Sequence, residues 1–446
     1  MRSSVLKSVS LLLIASGLVA GGTFISTSSE AQGDVLLGQE VPVSYGPKDY
    51  STALTAIDRD LALAQERVER SPKQWLAYEG LSLGHLIKAQ LTGSFEQLAA
   101  ADAAIKKGLE LAESGSGPAI AASTVNLSLH RYPDAQANIE NYDSFVVKQG
   151  ATERAEMLAQ RGEVAFYSGR YGEAFSNYSQ AFGDDPSPNT IFRLATWHKY
   201  LGQFDTAIDL YAKGALSGRS TTPQMLAAYH LQIGALELQR GNWDLAHAYF
   251  KEADSLFPGH WLAEAHIAQM LAVEGEREEA KSIYSKIIRR TGNPDVMMAL
   301  ASVHEFEGDE VAAKKLRQRA SGLFEQRLAV LPEAYFDHAL DLALSNGQNG
   351  RALKLATANF EARPFGDAAM ALARTHTANG NPRKAIRLLK GVAESGWRSV
   401  EQHLDLAEAY EATGDTAAAD EEIKRALEMN PRALQAEADM LAFGSH

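Results

Sequence analysis

The chain of 446 residues has no cysteine. That excludes a disulfide framework, a thiolate nucleophile, a cysteine metal site and a lipid-modified cysteine anchor. It also has no run or face of lysine and arginine, and its formal net charge is −13. A nucleic-acid partner is therefore not expected, and anionic lipid surfaces are disfavoured. Catalytic signatures are missing too: there is no G-x-S-x-G, no phosphate-binding G-x-x-x-x-G-K-[ST], no H-E-x-x-H and no EF-hand loop. The sequence reads as non-catalytic, with no cofactor.

What is present is a frame, a glycine followed five residues later by an alanine. It occurs at Gly169/Ala174, Gly202/Ala207, Gly241/Ala246, Gly275/Ala280, Gly308/Ala313, Gly347/Ala352, Gly380/Ala385 and Gly414/Ala419. The alanines are spaced by 33, 39, 34, 33, 39, 33 and 34 residues, which marks a repeat array. The glycine is expected to end one helix in the left-handed conformation. The alanine starts a second helix and lets the two approach closely. Four residues on stands a large apolar side chain on the same helix face, at Tyr178, Tyr211, Phe250, Tyr284, Leu389 and Ile423. Three beyond that a small residue is usual, and Pro186, Pro258, Pro364 and Pro431 stop the second helix where they occur.

This pattern resembles the tetratricopeptide repeat, a 34-residue pair of antiparallel helices. Residues 155–188 fit best, with Gly162, Ala174, Tyr178, Ala181 and Pro186 in the family's places. Arg317 and Ala356 depart at the large-apolar position, and Asn359 at the small one. The resemblance implies an all-α, right-handed α-solenoid of stacked helix pairs, about ten units in all. Eight tetratricopeptide-like repeats fill residues 155–433.

Residues 1–31 read as a secretory signal. Arg2 and Lys7 begin it, Val9 to Ile25 is mostly apolar or small, and Ser29-Glu30-Ala31 offers a cleavage site. The mature chain is then periplasmic or secreted, with no stable membrane insertion. Residues 32–48, with Gly33, Gly38, Pro42, Gly46 and Pro47, read as an extended arm. Residues 49–154 hold an N-terminal half-unit and two degenerate repeats, with His130 in place of the turn glycine in the second. The 39-residue steps predict surface loops near Lys148–Gly150, Ser217–Pro223 and Ser321–Pro332. In residues 434–446, Leu434 to Phe443 is expected to form a capping helix with a tail.

The inner helix of each unit carries the expected function. In the tetratricopeptide family it lines the concave surface, with positions 9 and 13 facing the groove. Position 9 reads Glu163, Thr196, Ala235, Gln269, Ser302, Asp341, Arg374 and Glu408. Position 13 reads Tyr167, Tyr200, Gln239, Val273, Phe306, Ser345, Ala378 and Ala412. Aromatic anchors amid polar neighbours suit a protein or peptide partner, which points to Tyr167, Tyr200 and Phe306 helped by Glu163 and Gln239. The alternative is that these rings fill space between units. His198, His304, His376, His230 and His403 recur at fixed packing positions and read as structural. Asp337-His338-x-x-Asp341 has metal-like spacing, although a solvated acidic face explains it as well. The expected function is an exported scaffold for protein–protein or protein–peptide binding in the cell envelope. An accessory factor for envelope polysaccharide assembly or export, or a metal-handling or enzymatic protein, are the alternatives.

Overall fold

A computed structural model gives the structure of residues 36–39, 41, 43, 45–145, 150–217 and 222–443. The expected signal, residues 1–31, lies outside the described residues, as do 146–149 and 218–221 within the first two predicted loops. Among the described residues there are helices and no strand. A single helix, α1 (Tyr50–Arg70), precedes ten antiparallel pairs. Units 1 to 5 are α2 (Trp75–Thr92) and α3 (Phe95–Leu111), α4 (Ala119–Ser128) and α5 (Tyr132–Asp143), α6 (Ala151–Tyr167) and α7 (Tyr171–Asp184), α8 (Pro188–Tyr200) and α9 (Phe204–Leu216), and α10 (Pro223–Gln239) and α11 (Trp243–Leu256). Units 6 to 10 are α12 (Trp261–Glu274) and α13 (Arg277–Thr291), α14 (Pro294–Phe306) and α15 (Glu310–Val330), α16 (Pro332–Ser345) and α17 (Asn349–Ala362), α18 (Gly366–Ala378) and α19 (Pro382–Glu394), and α20 (Val400–Thr413) and α21 (Thr416–Met429).

The repeat frame acts as its chemistry demands. All eight frame glycines have positive φ, between 67° at Gly347 and 99° at Gly275. His130, at the equivalent turn, has φ 58° and is the one non-glycine residue with positive φ among the described residues. The frame alanines are 0% or 1% exposed. Within a unit the large column packs on a missing side chain. A Cβ on Gly162 would lie 2.5 Å from the Tyr178 ring, and one on Gly234 would lie 2.7 Å from Phe250. A methyl there would displace a ring at the centre of the pair.

The solenoid closes on itself after six units. The amide of Tyr50 donates to Pro258 O (3.0 Å), just before unit 6. The unit 1 turn at Gly93 packs on Asn293, which caps α14 of unit 7. His130 of unit 2 bonds Glu333 O through Nδ1 (3.2 Å) in unit 8. Gly169 of unit 3 meets Pro364 at the start of unit 9, Gly202 of unit 4 meets Arg398 before unit 10, and Gly241 of unit 5 meets Asn430 after α21. Each inner-to-outer helix turn of the first superhelical turn thus seats on a connection of the second. In contrast, nothing lies within 4 Å of a Cβ on Gly275, Gly308, Gly347, Gly380 or Gly414, which form the free rim.

Two expectations are corrected. Residues 321–330 do not loop out: α15 runs unbroken for 21 residues from Glu310 to Val330. The extra residues extend the helix because Leu323 to Val330 contains no glycine, proline, asparagine or aspartate to interrupt it. Residues 434–443 form no α-helix. A five-residue 3-10 turn, Ala436–Met440, is followed by Leu441–Phe443, all buried. Their apolar side chains bind the second turn instead of covering a helix end. At the other end, Leu36 is 1% exposed in a cluster with Tyr211, Tyr229 and Tyr249. The described part of the N-terminal arm is therefore docked over units 4 and 5.

Candidate functional site

Two of the five expected groove residues, Tyr167 and Tyr200, lie at the seam between the superhelical turns, and Glu163 is buried beside them against the neighbouring unit. Glu163, on α6, is 2% exposed and accepts from Arg193 Nε of α8 at 2.8 Å. Burial raises its pKa and Arg193 opposes the rise. Tyr167 is 6% exposed, with its ring stacked on Tyr132 at 4.7 Å and edge-on to Phe365 at 4.9 Å. Tyr200 stacks on Trp397 at 4.5 Å. Phe166 and Tyr171 complete the cluster, each in ring contact with Trp397. Glu163 and Tyr167 are therefore interior groups, and the three do not form an open anchor surface. The reason is the six-unit closure, which brings the second turn down onto position 13 of the first. Gln239 and Phe306 stand apart from them and are half-buried, with the Arg277 guanidinium 4.7 Å from the Phe306 ring centroid.

The inner face does hold an extended peptide segment elsewhere. Gln269, at position 9 of α12, is 0% exposed. Its Oε1 accepts from the amides of Ala442 (2.9 Å) and Phe443 (2.7 Å), and its Nε2 donates to Phe443 O (3.2 Å). One side-chain amide thus bonds both the N–H and the C=O of Phe443, and the N–H of Ala442 as well. The Phe443 ring, 1% exposed, lies against His266 (5.9 Å) and Tyr284 (6.4 Å). The repeat register places Gln269 at position 9 on the inner face, although it is not among the five expected groove residues. Its signal was a polar residue amid the apolar run of α12.

The Asp337-His338-x-x-Asp341 cluster is neither solvated nor arranged around an ion. Asp337 Oδ2 accepts from Arg363 at 2.6 Å, and this cation outweighs burial to hold the carboxyl well below the usual range. His338 Nδ1 lies 2.8 Å from Asp295 Oδ1. Burial pulls its pKa down, but Asp295 and Asp337 prevail and lift it to about 9. Asp341 is buried. Among the described residues no group of three or more histidines and carboxylates could hold a metal. The array histidines also have local partners: His230 Nδ1 bonds Leu226 O (2.8 Å), and His403 Nδ1 meets Glu422 (2.6 Å).

Units 9 and 10 turn an acidic inner face toward the interior. Asp367 is pushed up to about 7 by burial and by Glu401. Asp405 is pushed up to about 8 by burial, against the pull of Arg374, whose Nε lies 3.5 Å away.

These features define an α-solenoid of stacked helix pairs. Residues 403–432, spanning most of α20 and α21, match the family model described as tetratricopeptide repeat. No curated protein matches the chain. Among solved structures it is similar to a Rap protein complexed with Competence and Sporulation Factor, at 15% identity and TM-score 0.47, over 78% of this chain and 97% of that one. It is similar to a tetratricopeptide repeat protein from Parabacteroides merdae ATCC 43184, at 16% identity and TM-score 0.34, over 58% and 99%. It is also similar to the human IFIT1 dimer with m7Gppp-AAAA, at 13% identity and TM-score 0.38, over 83% and 95%.

Proposed function

We propose that the protein is a non-catalytic scaffold in the cell envelope whose inner solenoid face holds an extended segment of protein. The observation that carries this reading is the grip of Gln269 on the backbone at 442–443. The hydrogen bonds read main chain and the Phe443 pocket reads a side chain, which is how a peptide receptor divides affinity from specificity. The stacked helices hold the site in shape before a partner arrives, so less ordering entropy opposes binding. The net charge of −13 favours a protein or peptide partner over nucleic acid. Arg2, Lys7, the apolar run and Ser29-Glu30-Ala31 support export, and a cysteine-free chain is compatible with the envelope. No helix among the described residues is long and apolar enough to cross a membrane.

The test uses a labelled peptide of residues 434–443 and a chain ending at residue 433, its helix content checked by circular dichroism. The peptide is expected to bind the shortened chain saturably and to lose about tenfold or more in affinity on Gln269→Leu. The intact chain, whose site is filled, should bind it far more weakly. A well-folded shortened chain that does not bind the peptide contradicts the reading. For export, N-terminal sequencing of native material should begin near Gln32, and intact Met1 would contradict it.

A further inference from the structure

Where units 1 and 2 meet units 7 and 8, the seam opens into a cavity of about 100 Å³. Leu86, Gln90 and Leu98 line it from the first turn, and Arg327, Ala334 and Tyr335 from the second. Arg327 stands on the helical extension of α15 that replaces the expected loop. It is 9% exposed, and its guanidinium carbon lies 5.1 Å from the Tyr335 ring centroid and 5.7 Å from that of Phe95. The Arg327 guanidinium is neither hydrogen-bonded nor ion-paired to another described residue. A buried arginine without an acceptor is costly, so its five donors call for one.

The other polar groups fix what that acceptor is. The one carboxylate on the wall, Asp295, is taken by His338. Glu96, which the Arg327 charge reaches, accepts from Ser94 Oγ at 2.8 Å and stands outside the wall. Burial holds His130, also on the wall, neutral near physiological pH, with a pKa of about 3. On the wall itself two cations, Arg327 and His338, face one anion, Asp295, while Glu96 acts on Arg327 and Asp337 on His338 from behind it. The Tyr335 hydroxyl keeps its proton, since burial lifts it to about 12, and it makes no hydrogen bond to another described residue. Gln90 adds an Nε2 that is buried and unpartnered. Around these donors stand Leu86, Leu98 and Ala334.

We propose that this inter-turn cavity binds a small monocarboxylate, its carboxylate on Arg327 and within reach of the Tyr335 hydroxyl, its short hydrocarbon part against Leu86, Leu98 and Ala334. Stacking on aromatic rings leaves the in-plane N–H groups of a guanidinium free, the geometry that receives a carboxylate. The volume suits a ligand of roughly half a dozen water-sized groups. The apolar wall at Leu86, Leu98 and Ala334 suits a carboxylate that carries hydrocarbon and not a phosphate dianion. Because the walls come from both superhelical turns, the ligand fastens the closure and so stabilises the fold by mass action. The site is separate from the peptide-binding face at Gln269 and does not depend on it.

The experiment is calorimetric titration of the full chain with sodium butyrate, beside sodium phosphate and butylamine hydrochloride, paired with thermal melts. Butyrate is expected to bind saturably and raise the melting temperature, while phosphate and butylamine do neither. Arg327→Met should weaken butyrate binding about tenfold or more. Tyr335→Phe, which keeps the ring stack, should weaken it several-fold, and it decides the matter alone if Arg327→Met does not fold. Absence of saturable butyrate binding up to about 10 mM, unchanged affinity in a folded variant, or equal binding of phosphate or butylamine would overturn the proposal.

Discussion

The amide of Gly366 donates to the hydroxyl of Tyr171 at 2.8 Å, across 195 residues of chain. Tyr171 starts the outer helix of unit 3, and Gly366 starts the inner helix of unit 9. The bond is one stitch in a seam that runs from Tyr50 to Asn430. A repeat array normally buries each unit only against its neighbours. Here each first-turn unit has a further contact, six units on, and Tyr167 and Tyr200 at position 13 are covered from inside the molecule.

The seam predicts different costs for the same change at two turn glycines. Gly169 and Gly308 have φ of 74° and 81°, and placing alanine there costs about 1–2 kcal/mol from backbone strain alone. Gly308 has open space around it, while a Cβ at Gly169 would stand 2.7 Å from the Pro364 carbonyl oxygen. Gly169→Ala should therefore cost about 1–3 kcal/mol more than Gly308→Ala. Thermal melts of the two variants measure the difference, and equal melting temperatures would mean that the seam is absent at unit 3.

Tyr167→Ala should act on stability. The ring is buried between Tyr132 and Phe365, and removing it should cost about 3–5 kcal/mol. Tyr200→Ala, half-buried on Trp397, should cost somewhat less. Melting and helix content decide. If both variants melt like the parent and only partner capture falls, the tyrosines are surface anchors after all.

Ala246 is 0% exposed in α11, where the frame admits only a methyl group. Ala246→Leu should overpack the unit and cost about 1–3 kcal/mol. Ala378→Leu, at an exposed inner-helix position, should stay within about 0.5 kcal/mol. A parental melt for Ala246→Leu would show that the repeat register is wrong in unit 5.

Stability should rise as pH falls from about 8.5 to about 6.5. Asp367, at about 7, holds a proton in the fold that an unfolded aspartate has lost above roughly 4. His338, at about 9, likewise holds one that an unfolded histidine loses above about 6.5. Both contributions are complete at low pH and vanish as pH climbs through the folded values. His130 and His260, which burial lowers to about 3 and about 4, oppose them only as pH drops below about 6.5. Melting temperature against pH tests the sign, and Asp367→Asn should flatten the slope. A melting temperature that increases with pH over this window contradicts it.

The units themselves were legible from the sequence because their determinants are local. A glycine, an alanine and a ring at fixed spacing set each helix pair, and even His130 was recognisable as a turn residue. The extension of α15 was legible in principle, since Leu323 to Val330 contains only residues that continue a helix, but the repeat length suggested a loop. Closure was not legible. It depends on a small rotation between units summed six times, and no residue at Pro364, Arg398 or Asn430 announces a partner so far back in the chain. With closure hidden, Tyr167 and Tyr200 looked like anchors. Leu434 to Phe443 likewise looked helical because its preference for Gln269 and the Phe443 pocket is tertiary.

The measurement that tests closure most directly uses the absence of cysteine. A Cβ on Gly202 would stand 2.8 Å from Arg398 Cβ, so a shift of about 1 Å brings the pair to disulfide geometry. In Gly202→Cys/Arg398→Cys, mild oxidation should give an intramolecular disulfide in nearly every molecule, read as a non-reducing gel shift that a reductant reverses. Gly308→Cys/Arg398→Cys, with one cysteine on the free rim, should not cross-link within the chain. If the Gly202→Cys/Arg398→Cys protein is folded and stays reduced, or cross-links only between molecules, the first superhelical turn is not seated on the second.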